Sequence, residues 1–231
     1  MELKLIGGAL GAEVQGIDLT GDTGASTYRT IRELLVEHEV LFFRDQDVSP
    51  AQQHALASSF GPLQSHPAYA TVENFPEITI LESTAENPSK IECWHSDMTF
   101  RAHPPLGTVL RSKVIPDKGG DTLWSSMTAA YDALSPAMQV FLSGLNAVHD
   151  FSYGFQESLA ESGGRERLEK AVLDNPPVIH PVIRTHPESG KRVIFVNALF
   201  TTHIVGLPRE ESNVILKFLY EHIKTPEFTC R

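Results

Sequence analysis

The chain has few cysteines and fewer basic than acidic residues. Only Cys93 and Cys230 occur in 231 residues. Two distant cysteines behind an N-terminus without signal-peptide features argue against a disulfide scaffold and predict a cytoplasmic protein. The 19 Lys and Arg residues against 29 Asp and Glu residues, a net charge of −10, argue against a nucleic-acid or anionic-membrane binder. No apolar run approaches the roughly 18 residues of a membrane-spanning helix, so we expect no membrane span.

The length and composition are those of one globular domain. A chain of 231 residues, 41% hydrophobic and 21% charged, can bury one sizeable core. A β-barrel or β-sandwich of this length is commonly a single domain, so residues 1–231 are predicted to form one domain.

Short strands and scattered helices are predicted along the chain. The predicted strands are residues 40–43, 78–81, 108–114, 178–184 and 193–196, with a hairpin loop at 185–191. The predicted helices are residues 28–38, 50–60, 127–133, 136–142 and 208–223. The polar stretch 157–164 is predicted to be a flexible loop or lid. The pattern fits a mainly β fold, a double-stranded β-helix (jelly roll) with flanking helices.

The stretch from Trp94 to Phe100 carries the first chemical signal, His95-Ser96-Asp97. On a β-strand, two residues that are two positions apart point to the same face. One imidazole and one carboxylate on one face form two corners of the 2-His-1-carboxylate triad that holds Fe(II). The alternative for an isolated motif of this kind is a surface strand with two polar residues.

A second motif, Gly119-Gly120-Asp121-Thr122, follows downstream. The two glycines allow a tight turn with positive φ, and a returning strand is predicted after them. A hydroxyl such as that of Thr122, pointing into a cavity, can donate a hydrogen bond to a carboxylate ligand. A plain hairpin with a buried Thr is the alternative.

Together these motifs resemble the taurine dioxygenase and 2,4-dichlorophenoxyacetate dioxygenase family of Fe(II)/2-oxoglutarate enzymes. The resemblance also includes residues 11–19, 40–46, 66–69, 180–187 and 195–197. It implies an enzyme that couples oxidation of 2-oxoglutarate to oxidation of a substrate C–H bond by O2. The implied cofactors are Fe(II) and 2-oxoglutarate, and the implied assembly is a homodimer or homotetramer.

The resemblance also implies roles for individual residues. His95 and Asp97 would bind iron, and Thr122 would donate a hydrogen bond to 2-oxoglutarate. The positions implied to line the substrate pocket are His66, Tyr69, Ile91, Gly154, Phe155 and Phe200.

Two of these pocket positions depart from the taurine-cleaving pattern. Ile91 stands where those members have an amide side chain, and Gly154 stands where they have Ser. Both changes remove partners for the taurine ammonium, so we expect a roomier and more apolar pocket at that end. The expected substrate is an acid with an uncharged tail: an alkanesulfonate, an alkyl sulfate or an aryloxyalkanoate. Hydroxylation beside a sulfonate would release sulfite and an aldehyde, with succinate and CO2 as co-products.

The third iron ligand is not assigned within the sequence. The resemblance places the distal iron His and the Arg residues for 2-oxoglutarate after residue 231, so we expect the natural protein to continue there. The other candidates are His149, His180, His186 and His203, and structural roles are expected for the first three. A non-catalytic jelly-roll binding protein is the alternative if the protein ends at Arg231. A hydrolytic metalloenzyme is disfavoured by the lack of His-Glu-x-x-His and of a cysteine zinc cluster.

Overall fold

The computed structural model describes residues 1–21, 23–86, 88–89 and 91–231. Within these ranges the chain forms twelve strands and eight α-helices. The strands are β1 (Glu2–Leu5), β2 (Ala12–Gln15), β3 (Leu41–Phe42), β4 (Thr71–Val72), β5 (Phe75–Thr79), β6 (Trp124–Ser125), β7 (Asn146–His149), β8 (Val178–Pro181), β9 (Ile183–Thr185), β10 (Arg192–Ile194), β11 (Thr201–Ile204) and β12 (Thr229–Cys230). The helices are α1 (Ala25–His38), α2 (Pro50–Ser58), α3 (Met127–Asp132), α4 (Pro136–Ser143), α5 (Phe151–Gly154), α6 (Gln156–Ala160), α7 (Gly164–Asp174) and α8 (Arg209–His222).

The strands of the described residues form five small sheets. One has the order β1-β2-β3, with β2 and β3 parallel, and another has the order β11-β7-β8 and is antiparallel. The antiparallel pairs β9–β10, β6–β12 and β4–β5 make up the rest. The helices hold more residues than the strands, so the fold is mixed rather than mainly β. The double-stranded β-helix stays a prediction.

Three buried clusters organise the interior. The largest packs α3, α4 and α8 against β7, β9, β10 and β11, with Leu142, Ile194, Ile204 and Leu219 almost fully buried. A second lies under α1 and α2 around Ile31. The third, called the aromatic cluster below, consists of Met98, Phe100, Phe151, Phe155, Leu168, Ala171 and Phe200. Since each large apolar side chain contributes about 1.5–3 kcal/mol on burial, this cluster fixes the loops that carry it.

Most helix predictions are confirmed because their signals are local. Helix α2 begins after Ser49, whose hydroxyl accepts a hydrogen bond from the Gln52 backbone N–H while the Gln52 side chain accepts one from the Ser49 N–H. This reciprocal pair satisfies two backbone donors at the helix start. Helices α1, α3, α4 and α8 also lie where the apolar spacing and caps predict them. In the described part of the chain, no helix is both long enough and apolar enough to cross a membrane.

The predicted loop at residues 157–164 is wrong, because α6 and the start of α7 occupy it. Gly163 adopts φ 71° and reverses the chain between the two helices. A Cβ on Gly164 would lie 2.0 Å from the Ser158 carbonyl oxygen, so only glycine lets α7 begin against α6. The inner face of α7 buries Leu168 and Ala171 in the aromatic cluster. The polar residues of α7 lie on its outer face. The polar, glycine-bearing stretch before it therefore favours a loop when the sequence is considered alone.

Four strand predictions are confirmed with shifted ends, and one is wrong. The run 178–184 divides into β8 and β9, and β9 pairs with β10 across the predicted hairpin. The run 78–81 lies partly in β5, and 40–43 contains β3. Residues 108–114 form no strand, although Thr108, Val109 and Val114 are β-branched. Strand propensity alone does not make a strand, because the backbone also needs a pairing partner.

Candidate active site

His95 and Asp97 lie in an irregular segment that leads into a turn at residues 97–100. The predicted strand is therefore wrong. The two side chains nevertheless converge, with His95 Nε2 3.3 Å from Asp97 Oδ1. Met98 adopts a left-handed φ of 53°, and its carbonyl oxygen accepts a hydrogen bond from Arg101 N at 3.0 Å. The turn, rather than strand alternation, brings the imidazole and the carboxylate together.

Hydrogen bonds orient both side chains. His95 Nδ1 lies 2.9 Å from the Cys93 carbonyl oxygen, which can only accept, so Nδ1 carries a hydrogen and Nε2 is the nitrogen that faces Asp97. The Thr108 hydroxyl donates to Asp97 Oδ2 at 3.1 Å. A histidine ligand of a metal is commonly held in this way, by a carbonyl on its other nitrogen.

The two groups also perturb each other's protonation. The hydrogen bond to Asp97 raises the pKa of His95, in opposition to burial. The same hydrogen bond lowers the pKa of Asp97, with smaller contributions from Thr108 and His66. A metal ligand must give up its proton, so binding of a cation between His95 and Asp97 competes with protonation of the imidazole.

This donor pair fits two corners of an iron site. One neutral imidazole nitrogen and one carboxylate oxygen converge, with the side chains 29% and 53% exposed. Within the described ranges, no group of three His, Cys, Asp or Glu residues could hold a metal ion. His186 Nδ1 accepts backbone N–H groups inside the β9–β10 hairpin, and His203 contacts Thr202. These contacts give both histidines local structural roles.

The Gly-Gly turn is confirmed, whereas a role for Thr122 stays a prediction. Gly119 and Gly120 adopt φ 74° and 70°, and β6 follows the turn. Thr122 is exposed, and no hydrogen bond to its side chain occurs among the described residues. The hydroxyl that contacts Asp97 belongs instead to Thr108, which the sequence did not single out.

Four of the six predicted substrate residues come together at the aromatic cluster, to which two of them, Phe155 and Phe200, belong. The His66 ring lies 4.6 Å from the Tyr69 ring and 5.7 Å from the Phe155 ring, measured between centroids. Phe155 in turn lies 6.3 Å from Phe200. Phe100, which sequence reasoning did not assign to the pocket, contacts both His66 and Phe200 at 6.3 and 4.9 Å. We call His66, Tyr69, Phe155 and Phe200 the ring group.

The ring group lies within electrostatic reach of Asp97. Burial lowers the pKa of His66 to about 4, and the Asp97 charge opposes this shift. Burial and the Asp97 charge both raise the pKa of Tyr69. His66 is therefore neutral at pH 7. Its Nδ1 accepts the Ala68 N–H at 3.2 Å, which leaves Nε2–H as a donor.

The two positions that depart from the taurine pattern behave differently. The expected extra room at Gly154 does not exist, because a Cβ there would lie 2.5 Å from Phe200 Cε1. The Phe200 ring fills the space that a larger residue would take. Ile91 is half-buried and its backbone is bonded to the Ser89 hydroxyl. Among the described side chains packed on the aromatic cluster, Ile91 does not occur.

A buried polar network holds the segment that follows Asp97. The Thr99 hydroxyl lies 2.9 Å from His149 Nδ1 and accepts a hydrogen bond from Asn197 Nδ2 at 3.0 Å. Burial, with a smaller contribution from His180, lowers the pKa of His149 to about 3. His149 is therefore neutral. The Asn197 side-chain oxygen accepts the Phe200 N–H, so one network ties the segment after Asp97 to Phe200 in the aromatic cluster.

His180 adds a second attachment to the same segment. Its Nε2 donates to the Arg101 carbonyl oxygen at 2.9 Å, and its ring packs edge-on against His149 at 5.2 Å. The structural roles expected for His149 and His180 agree with these contacts. No local spacing in the sequence links these residues to Thr99, since the network spans β7, β8 and the loop before β11.

Comparisons with known proteins give one answer. The family model for "Taurine catabolism dioxygenase TauD, TfdA family" matches residues 2–231. An alkylsulfatase of Acinetobacter baylyi is 33% identical over 235 residues, which cover 100% of this chain and 73% of the relative. An alpha-ketoglutarate-dependent 2,4-dichlorophenoxyacetate dioxygenase of Cupriavidus pinatubonensis is 33% identical, with 95% and 81% covered. The crystal structure of a taurine dioxygenase from Burkholderia xenovorans superposes with a TM-score of 0.81 at 34% identity and covers 99% of this chain and 74% of that one.

These matches confirm the predicted enzyme class, a dioxygenase, and the predicted cofactors Fe(II) and 2-oxoglutarate. They leave the hydrolytic and non-catalytic alternatives without support. With a family model that spans nearly its whole length, the chain belongs to the taurine catabolism dioxygenase TauD, TfdA family.

Proposed function

We propose that this 2-oxoglutarate-dependent dioxygenase hydroxylates the carbon next to the acidic head group of an organic acid with an uncharged tail. A sulfonate substrate would then fragment to sulfite and an aldehyde, with succinate and CO2 as co-products. The observation that carries the proposal is the proximity of the His95–Asp97 pair to the ring group. A ligand pair for a metal and a nearby group of aromatic side chains that can surround a substrate are the two parts that such a reaction needs.

His95 and Asp97 are the residues that would hold Fe(II). The ion, together with 2-oxoglutarate, supplies the oxygen chemistry that no side chain can perform. The protein orients the two ligands through the Cys93 carbonyl oxygen and the Thr108 hydroxyl. Thr122 is proposed to donate a hydrogen bond to 2-oxoglutarate, as the resemblance implies.

The ring group would bind the substrate head. His66 is neutral, and its Nε2–H can donate a hydrogen bond to an anionic oxygen. Because its pKa is about 4, this hydrogen bond should not depend on pH near 7. The Tyr69 hydroxyl, whose pKa is raised, also stays a donor. Phe155 and Phe200 close the apolar side and exclude water, which strengthens the polar contacts.

An uncharged tail suits this recess better than an ammonium group. Ile91 and Gly154 supply no side-chain hydrogen-bond acceptor, and the Phe200 ring fills the space at Gly154. A buried ammonium without partners is costly. Alkyl sulfates are the second candidate substrate class, favoured by the similarity to the alkylsulfatase over the full length of this chain. Aryloxyalkanoates are the third candidate class, because the similar protein from Cupriavidus pinatubonensis is named as a 2,4-dichlorophenoxyacetate dioxygenase.

Oxygen consumption and succinate formation with Fe(II), 2-oxoglutarate and ascorbate would test the proposal. The panel is pentanesulfonate, pentyl sulfate, phenoxyacetate and taurine, with Asp97→Ala as the inactive control. We expect an uncharged-tail acid to be turned over at least tenfold more efficiently than taurine. A strong preference for taurine would refute the tail argument, and turnover of a sulfate ester alone would select the second candidate.

The remaining sequence predictions belong to this proposal. They are the jelly-roll core, the single domain over residues 1–231, the homodimer or homotetramer, and the cytoplasmic location. Both Cys93 and Cys230 are free thiols, which is consistent with a reducing compartment. The fold match to the taurine dioxygenase structure supports the jelly roll.

A further inference from the structure

A recess lies beside the candidate active-site segment, next to Phe100 and Arg101. It is a half-open cleft of about 720 Å³ between the loop at residues 65–67, the turn at 100–102 and helix α7. A volume of this size suits a small organic molecule rather than a single water or inorganic ion. Neither His95 nor Asp97 lines it. We call it the α7 cleft.

The α7 cleft is positively charged on an acidic protein. Its lining contains Arg101, Arg167 and Lys170, against a single carboxylate, that of Asp174. The chain as a whole carries a net charge of −10. A recess whose sign opposes that of the molecule attracts anions to one place on the surface.

Arg101 is the least compensated of these cations. Lys170 is paired with Asp174 at 2.7 Å, and Arg167 with Glu161 at 3.1 Å. The Arg101 guanidinium instead donates to two neutral acceptors, the Gln64 side-chain oxygen at 2.8 Å and the Ser65 carbonyl oxygen at 3.1 Å. Its buried Nε has no hydrogen-bond partner among the described residues. Among the described residues, Arg101 therefore forms no ion pair with a carboxylate.

Most of the remaining wall is apolar. Pro67, Pro176 and Val178 present apolar surface to the cleft, beside the polar Ser65 and Asn175. Phe100 and Ala171, which are buried behind this wall, belong to the aromatic cluster, so the wall is supported by the core. Cations beside a rigid apolar wall match a ligand with an anionic head and an apolar body.

We propose that the α7 cleft binds an organic anion with an apolar body, with Arg101, Arg167 and Lys170 around the head group and Pro67, Pro176 and Val178 against the body. The inference does not depend on the proposed reaction, because it uses no metal ligand. It adds a second ligand site, separated from the ring group by the buried Phe100 side chain.

Calorimetric titration of the metal-free protein with hexane-1-sulfonate would test the proposal, with inorganic sulfate and hexylamine as comparison probes. We expect saturable binding of the sulfonate, weaker binding of sulfate and no binding of the amine. The double variant R167Q/K170Q should weaken sulfonate binding about fivefold, because each partly exposed charge contributes modestly. Arg101 is left intact because it also holds the loop at residues 64–65.

Two control variants locate the ligand. Lys224→Gln removes a similar lysine that pairs with Glu221 at 2.8 Å near the end of α8, outside the cleft lining, and should leave binding unchanged. His66→Gln alters the ring group, where a sulfonate would also bind as substrate, and should leave unchanged only the binding step that R167Q/K170Q weakens. Absence of saturable sulfonate binding, equal binding by R167Q/K170Q, or loss of binding only in His66→Gln would overturn the proposal. Sulfate binding as tight as sulfonate binding would also overturn it. Failure of the oxygen-consumption test would not affect this result, since the titration contains no metal.

Discussion

Replacing Thr99 by Val removes one buried hydroxyl and leaves the side-chain shape nearly unchanged. Thr99 is 1% exposed, and its hydroxyl oxygen joins His149 Nδ1 and Asn197 Nδ2. His149 and Asn197 are 0% and 2% exposed, so water cannot replace the missing partner. The substitution therefore leaves two buried polar atoms unsatisfied.

The expected cost of this change is large. Each unsatisfied buried group costs about 1–3 kcal/mol, and the added methyl group recovers roughly 1 kcal/mol through burial. We therefore expect Thr99→Val to lower the free energy of unfolding by about 1–5 kcal/mol. Since roughly 1 kcal/mol shifts Tm by about 2–4 °C in a domain of this size, the melting temperature should fall by about 2–20 °C.

Urea unfolding followed by the fluorescence of the two tryptophans would measure the loss, with the slope m held constant. Thr99→Ser retains the hydroxyl and should recover more than half of the loss. Thr30→Val is the matched control, because Thr30 is exposed and bonds only to a carbonyl oxygen of its own helix. A Thr99→Val loss within about 0.5 kcal/mol of that control would show that Thr99 does not join the network.

Three further changes test other parts of the site. Thr108→Val removes the donor to Asp97 and should weaken Mn(II) binding, measured by EPR titration, about 10- to 100-fold, with Thr108→Ser close to wild type. Gly154→Ser forces a Cβ against the Phe200 ring and should destabilise the protein by about 1–3 kcal/mol in urea unfolding, less so when combined with Phe200→Leu. The pKa of His149 is about 3 in the folded protein and near 6.5 in the unfolded chain. At any pH between these two values, unfolding is therefore accompanied by uptake of a proton. Stability should accordingly fall as the pH falls from about 6.5, by up to about 1.4 kcal/mol per unit, and a His149→Gln variant with an unchanged slope would contradict this.

Local features of the chain were predictable because neighbours in sequence produce them. The Ser49–Gln52 capping pair and the Gly119-Gly120 turn depend on contacts within a few residues. The amphipathic spacing of α8 places it correctly for the same reason. Helix α7 was missed, although Leu168, Ala171 and Val172 have helical spacing, because the glycines before them favour a loop.

The motifs along the chain were enough to predict its family and to propose His95 and Asp97 as the iron-binding pair. How these two side chains are held follows from tertiary contacts. A turn, not a strand, brings the two side chains together, and Thr108 supports Asp97 from 11 residues away. Asn197 reaches Thr99 across 98 residues, and Phe200 fills the space beside Gly154. Such contacts leave no local periodicity, since they arise when distant segments bury polar and aromatic groups in one core.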